Sequence, residues 1–123
     1  MFNDHPLISI VDDDALARDG IKELVESLGC YETRTFISTE HFLESGAIAQ
    51  TACLITDLQM PGLNGLELQA APRCCIPIIL FTAFPNEKHR NRALEGGALG
   101  FLGKPFDEAS LMQCLTAAIG LRT

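Results

Sequence analysis

Short apolar runs that alternate with helix-spaced segments constrain this chain more than any other feature. Leu7-Ile8-Ser9-Ile10-Val11, Ala52 to Ile55, Pro77 to Thr82 and Leu99 to Leu102 have the length and content of buried strands. The weaker segment Tyr31 to Phe36 sets Glu32 and Arg34 against Tyr31, Thr33 and Thr35, the pattern of a half-exposed edge strand. Between these runs lie helical spacings. Ala17, Ile21, Leu24, Val25 and Leu28 share one face of a helix that Asp14 caps and Gly29 stops. Ser38 caps a short second helix that Gly46 ends, with Ile37 and Phe42 spaced for a hydrophobic staple. Asn64 and Glu67 have capping-box spacing, which predicts a third helix from Gly65, cut by Pro72 after about two turns. Asn86 to Glu95 is a polar, basic helix with little apolar face beyond Ala93 and Leu94, stopped by Gly96-Gly97. Asp107 caps a last helix whose stripe is Leu111, Cys114, Leu115, Ala118 and Ile119. Strands joined by helices run parallel, with right-handed crossovers. The expected fold is therefore α/β: a five-stranded parallel sheet with helices on both faces, in one domain spanning residues 1–123.

Composition narrows the function. With 47% apolar and 20% charged residues, the chain has globular composition. No apolar run approaches the roughly 20 residues that a spanning helix needs, so no membrane association is expected. The start, Met1-Phe2-Asn3-Asp4-His5-Pro6, lacks the basic-then-apolar order of a secretory signal, and a cytoplasmic setting is expected. The net charge of −7 repels phosphate backbones and argues against direct nucleic-acid binding. The same surplus suits carboxylates gathered around a cation. Five cysteines, an odd number without a C-x-x-C pair, read as small buried apolar residues in a reducing compartment; the neighbours Cys74-Cys75 are the one oddity.

Parallel strands bring their carboxyl ends to one edge, where α/β proteins bind ligands. Those ends carry Asp12, Asp13 and Asp14, then Asp57, then Thr82, with Lys104 after the last strand. Asp57 follows the Ala52–Ile55 run and precedes the turn signals Pro61-Gly62 and Asn64-Gly65. Carboxylates held together repel one another, and a small hard dication relieves that; Mg²⁺ fits best, because it takes a few carboxylate oxygens plus water and phosphate. With Mg²⁺ and Lys104 on two sides of a phosphoryl group, Asp57 becomes a candidate nucleophile that holds it as an acyl phosphate. Thr82 is placed to hydrogen-bond a phosphoryl oxygen, and the protein's contribution is positioning and electrostatics.

At these residues the chain resembles the receiver domain of two-component response regulators, of the FixJ type. The resemblance rests on Ile10 to Asp14, Leu54 to Gly65, Pro77 to Phe84 and Gly100 to Phe106, in order and with specific spacing across the whole chain. It implies a flavodoxin-like (βα)5 fold with strand order 2-1-3-4-5. It also implies that Asp57 accepts a phosphoryl group from a histidine kinase. Asp12 and Asp13 would be the acidic pair for Mg²⁺, Asp13 directly and Asp12 through water, with the backbone carbonyl of Gln59 as a further ligand. Thr82 and Phe101 match the switch residues and Lys104 the phosphate partner. Lys104-Pro105 resembles a bond that the family keeps cis. The small Ala83 would leave room for the phosphodonor. The face of the fourth helix, fifth strand and fifth helix would change on activation, form a homodimer contact and control an output domain or partner, in transcription regulation. One departure from the family is a segment between Gly65 and Pro77 about one helical turn short.

Plainer readings stand beside these. Asp14 is a helix cap, Lys104 alone is a surface lysine, Thr82 a strand-end hydroxyl and Phe101 a core aromatic. Lys88 to Arg92 is a solvated helix face. Two other functions compete with the switch. A Mg²⁺-dependent phosphatase with an aspartate nucleophile would use Asp12-Asp13-Asp14, but Ala15-Leu16-Ala17 follows where that class wants a threonine, and Gln59 cannot serve as a general acid. A receiver-like binding module that never gains phosphate would have lost an acidic residue or the lysine, and both are present. The expectation is therefore a switch that assists its own phosphotransfer and dephosphorylation and is not otherwise an enzyme.

Overall fold

Alternation along the strands sorts their side chains onto two faces of one sheet, and helices bury both. The computed structural model describes residues 6–29, 31–57, 76–82, 87–95, 98–103 and 108–120. The strands are β1 (Leu7–Val11), β2 (Glu32–Phe36), β3 (Thr51–Asp57), β4 (Ile78–Thr82) and β5 (Gly100–Gly103). The helices among the described residues are α1 (Ala15–Ser27), α2 (Thr39–Glu44), α3 (Glu87–Glu95) and α4 (Glu108–Gly120). A single 3-10 turn at Ala47–Ala49 precedes β3 and has no counterpart in the sequence reading. All strand pairs are parallel, in the order β2-β1-β3-β4-β5. The predicted third helix from Gly65, with Pro72 and the shortened segment, lies outside the described residues, as do Cys30, Cys74 and Cys75.

One face carries Ile8, Ile10, Cys53, Ile55, Ile79 and Phe81 against Ile21 and Val25 of α1 and Leu111, Leu115 and Ala118 of α4. The other carries Val11, Leu54, Ile78 and Leu80 against Phe42 of α2, Ala47 and Ala93 of α3. Burial on both faces explains why β1, β3 and β4 are buried throughout and read as near-continuous apolar runs. β2 is an edge strand with Glu32 and Arg34 exposed, as its alternation predicts.

The ends of α1 and α2 follow the sequence signals, whereas Gly96-Gly97 and Asp107, expected to stop α3 and cap α4, lie outside the described residues. Asp14 accepts a hydrogen bond from the Leu16 N–H at 3.2 Å, and Ser38 accepts one from the His41 N–H at 3.0 Å. Gly29 and Gly46 take the positive φ values of 85° and 76° that end α1 and α2. The Ile37–Phe42 staple does not form. Ile37 is 58% exposed, and Phe36 packs edge-on against Phe42 instead, with ring centroids 5.3 Å apart. Phe36 lies on the α2 side of the sheet, within the cluster that holds Phe42, and so fills the place a staple would need, while Ile37 falls just past the end of β2. In α3 only Ala93 is buried; Leu94, expected to share its face, is 45% exposed.

A buried polar relay ties β1 to the entry of β3. The Thr51 hydroxyl donates to the Ala47 carbonyl at 2.7 Å, so Ser9 donates to Thr51, also at 2.7 Å. Both buried hydroxyls are thereby satisfied.

Candidate functional site

Strand register brings two carboxylates to the same edge of the sheet. Ile10 pairs with Ile55 and Val11 with Thr56. One step further along both chains stand Asp12 and Asp57. They share the parity of Ile8, Ile10, Cys53 and Ile55, so both lie on the α1 and α4 side of the sheet edge. Asp12 is fully buried and Asp57 is 7% exposed, whereas Asp13 is exposed. One carboxylate oxygen from each of Asp12, Asp13 and Asp57 lies within 4.8 Å of the others. Three carboxylates at such range repel strongly in a partly buried setting. A donor set of hard oxygens at this spacing suits a small divalent cation such as Mg²⁺.

The loop from β1 to α1 is closely tied. The Asp14 N–H donates to the Asp12 carboxylate at 2.9 Å, and the Asp12 N–H donates to the Phe36 carbonyl at 3.2 Å. The Asp12 carbonyl in turn accepts from the Arg18 guanidinium at 2.8 Å. Asp14 caps α1, as its plainer reading has it. Arg18 was missed in the sequence. The available signal was its place four residues after the cap, since helical side chains lean toward the N-terminus.

Thr82 is fully buried at the end of β4, one residue past the Asp57–Phe81 pair. It lies opposite Gly103, two residues beyond the Leu80–Phe101 pair. Thr82 and Phe101 therefore belong to the same face of the sheet, the one covered by α2 and α3. Phe101 is half-buried and packs against the cluster that contains Val11, Leu54 and Leu80. Gln59, Ala83, Lys104 and Pro105 lie outside the described residues.

Away from the site, Cys53 and Cys114 are free thiols. Burial, with Cys114 nearby as a lesser cause, pushes the Cys53 thiol from the ordinary 9.0 up to about 12. Burial also raises Cys114. Both behave as apolar filling, as the composition implied. No described helix is long and apolar enough to cross a membrane.

Comparison with known proteins agrees with the geometry. The response regulator receiver domain model matches residues 8–116. Nodulation protein W of Bradyrhizobium diazoefficiens is 36% identical over 115 residues, covering 91% of this chain and 50% of that protein. The transcriptional regulatory protein FixJ of Azorhizobium caulinodans is 33% identical over 116 residues, covering 92% of this chain and 54% of that protein. The chain thus spans about half the length of these curated relatives. The solved response regulator StyR superposes with a TM-score of 0.83 at 38% identity, covering 95% of this chain and 60% of that one. With its strand order, its acidic sheet edge and these relatives, the chain belongs to the response regulator receiver domain family of two-component signalling.

Proposed function

We propose that this domain is a phosphorylation switch in which Asp57 accepts a phosphoryl group from a histidine kinase. The observation that carries this reading is the convergence of the Asp12, Asp13 and Asp57 oxygens to within 4.8 Å at the carboxyl edge of a receiver-family sheet. In the transfer, a carboxylate oxygen of Asp57 forms a bond to phosphorus as the bond from phosphorus to the kinase imidazole nitrogen breaks. The electron pair leaves with the imidazole. Bound Mg²⁺ would be held by Asp12, Asp13, Asp57 and the Gln59 backbone carbonyl, and would neutralise charge on the phosphoryl oxygens. Lys104 supplies the second positive charge. Thr82 hydrogen-bonds a phosphoryl oxygen and draws toward it, and Phe101, on the same face of the sheet, repacks into the space that opens. The new charge favours one of two arrangements, and the surface of α3, β5 and α4 reports which one is populated.

Downstream, the relatives named as transcriptional regulators support an output in transcription. In this reading that output is exerted through an attached domain or a partner, and that same surface forms the homodimer contact. The cytoplasm is the setting that this role requires. The test is the response to beryllofluoride or acetyl phosphate with Mg²⁺. Wild-type protein changes its elution or spectrum on activation. Lys104→Ala keeps its Mg²⁺ affinity and loses that response; a Lys104→Ala protein that responds as wild type does contradicts the assignment.

A further inference from the structure

We propose that Arg18 is a positioning residue for the acidic cluster, acting by pinning the Asp12–Asp14 loop and not by lending its charge. This rests on the reading of Asp12, Asp13 and Asp57 as a divalent-cation site. Asp12 follows the last residue of β1 and stands two residues before the cap of α1, so its carbonyl lies outside the backbone ladder of that helix. Arg18 reaches it from the first turn. Its backbone N–H bonds the Asp14 carbonyl at 2.9 Å, while its side chain turns back to the Asp12 carbonyl at 2.8 Å. One residue thereby grips both ends of a three-residue loop. The Asp12 carboxylate is held from inside the loop by the Asp14 N–H at 2.9 Å. Asp13 is the exposed member between these two fixed residues, so the loop backbone decides where its carboxylate lies. Its convergence with Asp12 and Asp57 therefore depends on the Arg18 bond.

The sign of the effect separates position from charge. A cation beside three carboxylates competes electrostatically with a divalent ion, so removing it would by charge alone tighten divalent binding. If Arg18 acts by holding the loop, removing it loosens binding in spite of that gain. Groups that orient metal ligands from behind typically change affinity by about 10- to 100-fold.

The experiment is a Mn²⁺ titration followed by electron paramagnetic resonance, on wild type, Arg18→Met, Arg18→Lys and Asp57→Asn. Arg18→Met keeps the apolar stem and helix propensity, and Arg18→Lys keeps a charged donor of similar reach. Thermal melting without metal confirms that each variant is folded at the titration temperature. The expected result is a fall of roughly tenfold in Arg18→Met, with Arg18→Lys closer to wild type than to Arg18→Met. Unchanged or tighter binding in Arg18→Met overturns the proposal, and so do equal losses in Arg18→Met and Arg18→Lys. Failure of the underlying site shows separately, as a wild type and an Asp57→Asn variant that bind Mn²⁺ alike.

Discussion

Asp12 and Asp57 stand one step beyond the Val11–Thr56 pair on adjacent parallel strands, and their carboxylates approach to within 4.8 Å. The register of β1 on β3 brings the two backbones to that point, and the Asp14 N–H holds the Asp12 carboxylate there. Asp13, the exposed member, reaches the cluster from further along the same loop. A divalent ion that binds here stabilises the folded chain alone, because the unfolded chain has no such convergence. Mg²⁺ at about ten times its dissociation constant should add about 1.4 kcal/mol and raise the thermal midpoint by a few degrees. Asp57→Asn should lose most of that increment. An equal Mg²⁺ effect in the variant would mean that the ion acts elsewhere.

Thr39 carries a cost that can be removed. It is 1% exposed at the first turn of α2, and its hydroxyl has no hydrogen-bond partner among the described residues. A buried unpaired hydroxyl costs about 1–3 kcal/mol on mutational scales. Thr39→Val keeps the shape and the β-branch, so it should stabilise the domain by about 1 kcal/mol in chemical denaturation. A loss of stability would show that the hydroxyl is satisfied in solution.

Gly100 lets α4 approach β5. A Cβ built there would lie 2.5 Å from the Cys114 sulfur and 3.5 Å from an Ile79 methyl. Gly100→Ala should therefore cost about 1–3 kcal/mol, the usual range for overpacking. Cys114→Ala removes the obstructing sulfur, so the double variant should recover about 1 kcal/mol or more relative to the sum of the two. Additivity in the double-mutant cycle would contradict that contact.

Cys53 predicts an alkaline weakness. Its thiol is raised from 9.0 to about 12 in the fold, so the native state holds the proton where the unfolded state has released it. Its contribution to stability is whole below pH 9 and is lost as pH rises toward 12. The slope between those limits approaches about 1.4 kcal/mol per pH unit from this group. Cys53→Ala should flatten that slope by about one proton, whatever its effect at neutral pH. An unchanged slope would place the alkaline loss elsewhere.

Much of this was readable from residue order. The apolar runs marked β1, β3 and β4 because both faces of the sheet are covered, and Asp14, Ser38, Gly29 and Gly46 marked the ends of two helices. The family motif singled out Asp12, Asp13, Asp57 and Thr82 as candidates, and the sheet brings the three aspartates together. What escaped depends on direction rather than residue type. Ile37 is apolar and correctly spaced for a staple, yet it is exposed just past the end of β2, and Phe36 takes the place against Phe42. Arg18 looks like any surface arginine on a helix until its side chain is seen to reach back to the Asp12 carbonyl. The orphan hydroxyl of Thr39 and the close approach at Gly100 exist only in three dimensions.

The most direct measurement is to locate the phosphoryl group. Purified protein is incubated with acetyl phosphate and Mg²⁺, and the labelled residue is mapped by borohydride reduction and mass spectrometry. The account predicts one hydroxylamine-labile phosphoryl group, on Asp57, that disappears when the divalent ion is chelated before labelling and in the Asp57→Asn variant. Full labelling of Asp57→Asn, or a phosphoryl group mapped to another residue, would contradict it.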